Sequence, residues 1–284
     1  MNTTLGLLFG VLAMISWGTA DFFVACSVRK TSTLKVLFWS LLTSVIIAFI
    51  VAAIFLGLPN LNLTIIGMIL LCGLLSAVSW GAFYKGLQID KVAIISPIAN
   101  SWPVITIVIS ILFLGESLTW MQAIGVFFVI IGGALVSFKF KDLLKLKNPA
   151  VGVKYALVGV LGWGILFSFV GYLVTKIGWF FPMVLIKTIT MLYLLIYFKT
   201  TKREFSLPKA GLIFIMLVGL FEVLAIFAYG LGISFHSTSL VAPIIAGVPM
   251  VTVILAKIIF KESIDINQKL GIVSVILGLV LLAV

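Results

Sequence analysis

The chain has 284 residues, of which 63% are hydrophobic and only 10% are charged. A soluble domain carries about 25% charged residues, so this composition excludes a soluble globular protein and indicates a polytopic membrane protein. The net charge of +11 lies in short loops between apolar runs, which is typical of membrane orientation and of contact with anionic lipids. We therefore expect the lipid bilayer as a partner and no nucleic acid.

At about 20 apolar residues per span, the sequence predicts an all-α integral membrane protein with ten transmembrane helices. In chain order they cover residues 4–27, 35–57, 65–87, 92–114, 119–138, 152–175, 179–198, 209–231, 238–260 and 266–283. A charged linker, residues 139–151, separates a first five-helix unit, residues 1–138, from a second, residues 152–284. Cys26 and Cys72 lie inside apolar runs, which predicts neither a disulfide nor a metal site.

The two five-helix units are copies of one another. Residues 97–132 align without a gap with residues 243–278 at an offset of 146, and 11 of the 36 positions are identical. A fixed offset indicates a repeat, and the same offset pairs Trp17 with Trp163. Because five is odd, the second copy must enter the membrane from the opposite side, which predicts inverted repeats about an axis in the membrane plane.

The basic residues predict the orientation of the chain. The odd-numbered loops and their flanks hold 17 Lys and Arg residues, whereas the even-numbered loops hold Lys176 alone. The positive-inside rule then places the odd loops in the cytoplasm and both termini outside.

Three ionisable residues lie within the predicted spans: Asp21, Lys187 and Glu222. Each charge costs about 2.5–3.5 kcal/mol in a membrane helix, so we expect it to face a partner or a wet cavity. Lys187 and Glu222 lie near the middle of their spans, which predicts that they face each other or one cavity. The counterparts in the other copy are uncharged (that of Asp21 is Phe167). This asymmetry favours a role in binding substrate or protons; the alternative is a structural ion pair.

Two prolines in each copy interrupt spans four and nine near their starts: Pro97 and Pro103, and Pro243 and Pro249. Proline removes a backbone donor, and the carbonyl this frees is tolerated where it lines a cavity or finds a partner. We therefore expect helix breaks that act as hinges. Asn100 lies between the first two prolines and is a candidate to hydrogen-bond substrate, with interhelical bonding as the alternative.

Aromatic residues on the same helices are candidates to line a cavity. They are Trp17, Tyr84, Trp102, Trp163 and Tyr229. The alternatives are core packing and an aromatic belt at the membrane interface.

A Glu-Ser pair follows span four and recurs after span nine, as Glu116-Ser117 and Glu262-Ser263. We expect structural turns in which these side chains accept hydrogen bonds from the start of the next helix. A gating or coupling role is the alternative.

Taken together, these motifs resemble the drug/metabolite transporter superfamily, in particular its EamA-type ten-helix transporters, over the whole length of the chain. They are the Trp-Gly pair in each half, the runs VAIISPI and SLVAPI, Pro103 and Pro249, the turns GES and KES, and the glycines at 125, 132, 271 and 278. The resemblance implies that helices one to four and six to nine surround a central cavity, with helices five and ten outside. It also implies secondary transport by alternating access, and termini in the cytoplasm, contrary to the charge count.

The leading hypothesis is therefore a secondary active transporter in the cell membrane, as a monomer or homodimer. Lys187 and Glu222 offer opposite charges, which suits export of a small polar metabolite such as an amino acid; protons are the candidate coupling ion. We expect no cofactor and no metal. A flippase for lipids or lipid-linked sugars is the alternative, and a passive channel is a weaker one. An intramembrane enzyme is disfavoured, because the only histidine, His236, lies in a loop and no catalytic constellation occurs.

Overall fold

In the computed structural model, every regular element of the described residues is an α-helix. The described residues are 2–28, 30–53, 59–89, 95, 98–138, 150–202 and 206–283. The helices are α1 (Thr3–Val28), α2 (Thr33–Ala52), α3 (Leu63–Ile89), α4 (Trp102–Leu114), α5 (Trp120–Val136), α6 (Ala150–Ile177), α7 (Phe180–Thr200), α8 (Leu212–Phe235), α9 (Thr238–Ile245), α10 (Val248–Phe260) and α11 (Ile266–Leu282). Pro97 and most of the predicted linker lie outside the described residues.

The helices have the length and apolarity of membrane spans. Within the described residues, seven stretches can each cross a bilayer, one of them being α9 and α10 taken together as Thr238–Phe260. Helices α4, α5 and α11 are shorter and apolar. At 1.5 Å per residue, the 17 residues of α5 and of α11 extend about 25 Å, close to the thickness of a hydrocarbon core. The chain is thus a multi-pass membrane protein, and its described regular structure is helical.

Contacts between the halves come in pairs related by the offset of 146. The hydroxyl of Thr252 donates to the carbonyl of Gly18 at 3.0 Å, and that of Thr106 donates to the carbonyl of Gly164 at 3.0 Å. Each bond is the other's equivalent with the two copies exchanged. Such reciprocity is what a two-fold relation between similar units produces.

A second reciprocal pair of hydrogen bonds joins α2 to α8 and α7 to α3. Ser44 donates to the carbonyl of Gly219 at 2.6 Å, and Thr190 donates to the carbonyl of Gly73 at 3.4 Å. Glycine and hydroxyl side chains are common at helix interfaces in membranes because they allow close backbone approach and add hydrogen bonds.

Helices α5 and α11 pack closely on each other along a line of glycines. A Cβ added at Gly132 would lie 2.7 Å from the carbonyl oxygen of Gly271, and one added at Gly125 would lie 2.9 Å from that of Gly278. Their other faces expose apolar side chains, such as Phe127 at 61%. These helices thus act as packing and lipid-facing elements.

The proline breaks are visible in span nine. Helix α9 contains Pro243 and ends at Ile245, a turn follows at residues 246–247, and Pro249 is the second residue of α10. Pro103 is likewise the second residue of α4. The second position of a helix tolerates proline because its N–H would have no intrahelical partner. The breaks are therefore present, whereas their role as hinges stays a prediction.

Candidate substrate site

The two charges predicted near the middle of their spans form an ion pair. Lys187 Nζ of α7 lies 2.7 Å from Glu222 Oε2 of α8, and the side chains are 9% and 18% exposed. The geometric expectation that they face each other is met. A pair this enclosed is costly to break, because the remaining charge would stay in a poorly solvated place.

Asp21 lies beside this pair. Helices α1 and α8 run antiparallel, with Gly6 near Gly232 at one end and Phe23 stacked on Phe221 at 5.9 Å further along. This register puts Asp21 level with Glu222, and their carboxylates are close enough to repel each other. The Asp21 side chain itself keeps accessible surface.

Tyr84 of α3 completes this group. Its phenol lies within electrostatic range of both Asp21 and Glu222, and the residue is only 4% exposed. Four predicted site residues, from α1, α3, α7 and α8, therefore meet in one place. We call Asp21, Tyr84, Lys187 and Glu222 the charged group.

Three other predicted residues, Trp17, Trp102 and Tyr229, meet around one phenylalanine. Trp17 and Tyr229 contact the ring of Phe167 with centroids at 6.0 and 5.2 Å, and Trp102 stacks on it at 4.3 Å. We call these four residues the aromatic cluster. Sequence reasoning noticed Phe167 only as the repeat counterpart of Asp21, and that equivalence was the available signal that it belongs to the site.

The aromatic cluster is next to the charged group on shared helix faces. Trp17 and Asp21 are four residues apart on α1, and Tyr229 and Glu222 are seven apart on α8, spacings that place side chains on one face of a helix. At 1.5 Å per residue, the rings lie about 6–10 Å from the charges along the helix axes. They fill the centre of the molecule on the side of the even-numbered loops.

Tyr229 has an unusual hydroxyl. The residue is 0% exposed, and its Oη has no hydrogen-bond partner among the described residues. A buried hydroxyl without a partner costs about 1–3 kcal/mol. A bound water or solute is the physical remedy for such a group.

Trp163 lies elsewhere. Its ring contacts Trp80 at 5.1 Å and Phe83 at 5.6 Å, and Trp80 in turn stacks on Tyr84 at 5.7 Å. It thus adjoins the charged group through Tyr84 and is apart from the aromatic cluster. The structure separates the two repeat-related tryptophans that the sequence treated alike.

Asn100 lies at the turn before α4. It lines a cavity of about 20 Å³ with Ser101, Gly133 and Ala246, among others. That volume holds about one water, which is too small for a metabolite. Direct substrate contact by Asn100 stays a prediction.

Glu116 caps a helix other than the one expected. Its carboxylate accepts hydrogen bonds from the backbone N–H groups of Thr238 at 2.9 Å and Ser239 at 2.6 Å, at the start of α9. The following helix, α5, is capped instead by Thr119 with Gln122. The sequence correctly predicted that Glu116 caps a helix. The N-cap position of α5 is occupied by Thr119, however, so Glu116 caps the distant helix α9 instead.

The repeat-related turn has the same local design. Asp265 and Gln268 form the capping box of α11, whereas Glu262 and Ser263 are exposed and line a small cavity with Gln268. Ser117 is also exposed. Next to Thr238, His236 Nδ1 accepts from the backbone N–H of Ser237 at 2.8 Å, and burial lowers the pKa of His236.

Known proteins place these features in a family. The model of the EamA-like transporter family matches residues 4–138 and again residues 150–284. An uncharacterized protein of Methanocaldococcus jannaschii is 28% identical over 134 residues, which are 46% of this chain and 95% of that protein. A relative as long as a single half fits a chain built from two copies.

The fold also occurs among solved structures. A crystal structure of a protein superposes with a TM-score of 0.80 at 12% identity, covering 97% of this chain and 94% of the other. At that identity the similarity concerns the fold alone. Members of the matched family are generally transporters and not enzymes. This chain belongs to the EamA-like transporter family and is a membrane transporter of the drug/metabolite transporter type.

Proposed function

We propose that the protein is a secondary active transporter that exports a small metabolite carrying an amino group, such as an amino acid or an amine, across the cell membrane. The observation that carries the proposal is the charged group, in which Asp21, Lys187 and Glu222 meet within the membrane-spanning part of a transporter. None of the three is charged in the other copy, so the duplication alone does not account for them.

Alternating access by two inverted five-helix units fits the reciprocal contacts. Two similar bundles related by a two-fold axis in the membrane plane have interconvertible inward-open and outward-open forms. The aromatic cluster and the Glu116 contact with α9 close the molecule toward the even-numbered loops, while Asp21 keeps accessible surface. We infer that this conformation is closed on the side of the even-numbered loops and that Asp21 is reached from the side of the odd-numbered loops.

Protons are the proposed coupling ion. Two carboxylates that lie close together repel each other when both are charged. With only one lysine beside them, binding of either a proton or a cation relieves this repulsion, so the two can compete for the same site. Glu222 and Asp21 are the proposed proton sites.

The test begins with a thermal-shift screen of purified protein against amino acids, amines, sugars and nucleotides at two pH values. Compounds that stabilise the protein are then assayed for transport into proteoliposomes with and without a pH gradient. We expect accumulation that depends on the gradient, and we expect Glu222→Gln to remove this dependence. Transport with unchanged pH dependence in Glu222→Gln would remove that residue from the coupling mechanism.

A further inference from the structure

The charged group contains one more anion than cation. Lys187 Nζ lies 2.7 Å from Glu222 Oε2, and Asp21 is the second carboxylate of the group. Among the described residues no side chain donates a hydrogen bond or forms an ion pair with Asp21. Lys187 is therefore paired with Glu222. The charged group carries a net charge of about −1 when Asp21, Lys187 and Glu222 are ionised.

Hydrogen-bond acceptors without donors surround the same point. Besides the Asp21 carboxylate, Glu222 Oε1 receives no hydrogen bond from the described residues, since Lys187 uses Oε2. The Tyr84 hydroxyl also has no hydrogen-bond partner among them, although the residue is only 4% exposed. That phenol lies within electrostatic range of both carboxylates, so α1, α3 and α8 each bring to the same region an oxygen atom without a hydrogen bond from the described residues.

A primary ammonium group matches this arrangement. It carries one positive charge and three N–H donors, against one excess negative charge and oxygen atoms on three residues. We propose that Asp21, Glu222 Oε1 and Tyr84 bind the ammonium group of a small primary amine, which is the transported substrate. This inference rests on the proposed transport function and narrows its substrate class.

The arrangement disfavours an amino acid as the substrate. The carboxylate of an amino acid would approach Asp21 and Glu222, and Lys187 is already paired, so like charges would repel. From the sequence, the opposite charges of Lys187 and Glu222 suit an amino acid; in this proposal the two residues stay paired and a cation binds beside them.

The aromatic cluster suits the rest of the substrate. Trp17 lies one helical turn from Asp21 on the same face of α1. Its ring contacts the rings of Phe167 and Tyr229. Aromatic faces attract cations and bury apolar groups. The proposed substrate is thus an amine with an apolar or aromatic body and no carboxylate.

The test measures equilibrium binding to the purified full-length protein in detergent micelles. The probes are 2-phenylethylamine, phenylalanine and the N,N,N-trimethyl derivative of 2-phenylethylamine, which keeps the charge and loses the N–H donors. We expect the amine to bind at least tenfold more tightly than either analogue. Asp21→Asn should weaken amine binding at least tenfold, and Tyr84→Phe several-fold.

The matched control is Asp265→Asn, which removes a carboxylate at the start of α11 while asparagine still caps the helix; it should bind the amine like the wild type. Equal binding of phenylalanine, or full binding by Asp21→Asn with a wild-type melting temperature, would overturn the proposal. If no probe binds but another solute is transported, the amine assignment fails and the transport function stands. If no solute is transported in proteoliposomes, the transport function itself fails.

Discussion

At the scale of single residues, the charged group depends on one ion pair and one carboxylate beside it. Lys187 and Glu222 are 2.7 Å apart, and Asp21 is held near them by the antiparallel register of α1 and α8. A pair lacking solvent is more costly to break than to replace by two apolar side chains. The energetic role of the pair is thus separable from its role in transport.

We predict that Lys187→Met lowers the stability of the protein by on the order of 3 kcal/mol, because it leaves Glu222 and Asp21 as unbalanced anions. Lys187→Met combined with Glu222→Met should recover most of that loss. The measurement is a double-mutant cycle of thermal unfolding in detergent. Additive losses in the double variant would mean that the two residues do not stabilise each other.

The residues of the charged group were predictable from sequence because ionisable residues are rare in membrane spans. Their arrangement was not, since the level of Asp21 relative to Glu222 depends on how α1 and α8 pack. Phe167 was missed for a related reason: nothing in its local sequence distinguishes it from the many other phenylalanines, and only the packing of α4 and α6 brings it against Trp102.

At the scale of helices, Glu116 joins the end of span four to the start of α9. The first N–H groups of a helix lack intrahelical partners, and a carboxylate there also interacts favourably with the helix dipole. Because these two hydrogen bonds join distant parts of the chain, we expect them to stabilise the proposed closed arrangement on the side of the even-numbered loops.

We predict that Glu116→Ala lowers stability by about 1–2 kcal/mol, the usual cost of losing a cap, and raises access to that side. Glu116→Gln keeps one acceptor and should cost less. The measurement combines melting temperature with the rate at which a cysteine replacing Ser239 reacts with a maleimide. Unchanged stability and labelling in Glu116→Ala would contradict a closing role for this contact.

The pairing of α5 with α11 makes a second prediction for the helices. Gly132→Leu should prevent their close approach, because its first side-chain atom would already meet the Gly271 carbonyl at 2.7 Å; we expect a loss of at least 2 kcal/mol. The matched control is Gly67→Ala on α3, where an added Cβ meets nothing within 4 Å. Equal melting temperatures for the two variants would show that α5 and α11 do not need this contact.

Helix positions were predictable from hydropathy because a span requires a long apolar run. The division of span nine into α9 and α10 followed from Pro243 and Pro249, whose missing donors cannot continue a regular ladder. What remained hidden was the partner of each helix end, as Glu116 illustrates, because capping by a distant side chain leaves no trace in local sequence.

At the scale of the whole molecule, the reciprocal contacts follow from the duplication. Thr106 with Gly164 and Thr252 with Gly18 are one interaction formed twice. The repeat was readable from the fixed offset. The two halves have different chemistry where the symmetry is broken: Asp21 corresponds to Phe167, and Trp17 and Trp163 contact different aromatic rings.

The orientation is a prediction for the whole molecule, since the Lys and Arg count places both termini outside. Single cysteines replacing Asn60 and Lys209, which are both exposed, should lie on opposite sides of the membrane. A membrane-impermeant maleimide added to intact cells should label only the cysteine at position 60, with Cys26 and Cys72 first replaced by alanine. Labelling only at position 209 would place the termini in the cytoplasm.

The most direct test asks whether the charged group carries transport or only holds helices together. The measurement is exchange of the substrate found by screening, in proteoliposomes, for Asp21→Asn and for Lys187→Met combined with Glu222→Met, each with its melting temperature. We predict that both variants remain folded, with melting temperatures near that of the wild type, and lose at least tenfold in exchange rate. Wild-type exchange in the folded variants would show that these charges are structural and would contradict their role in transport.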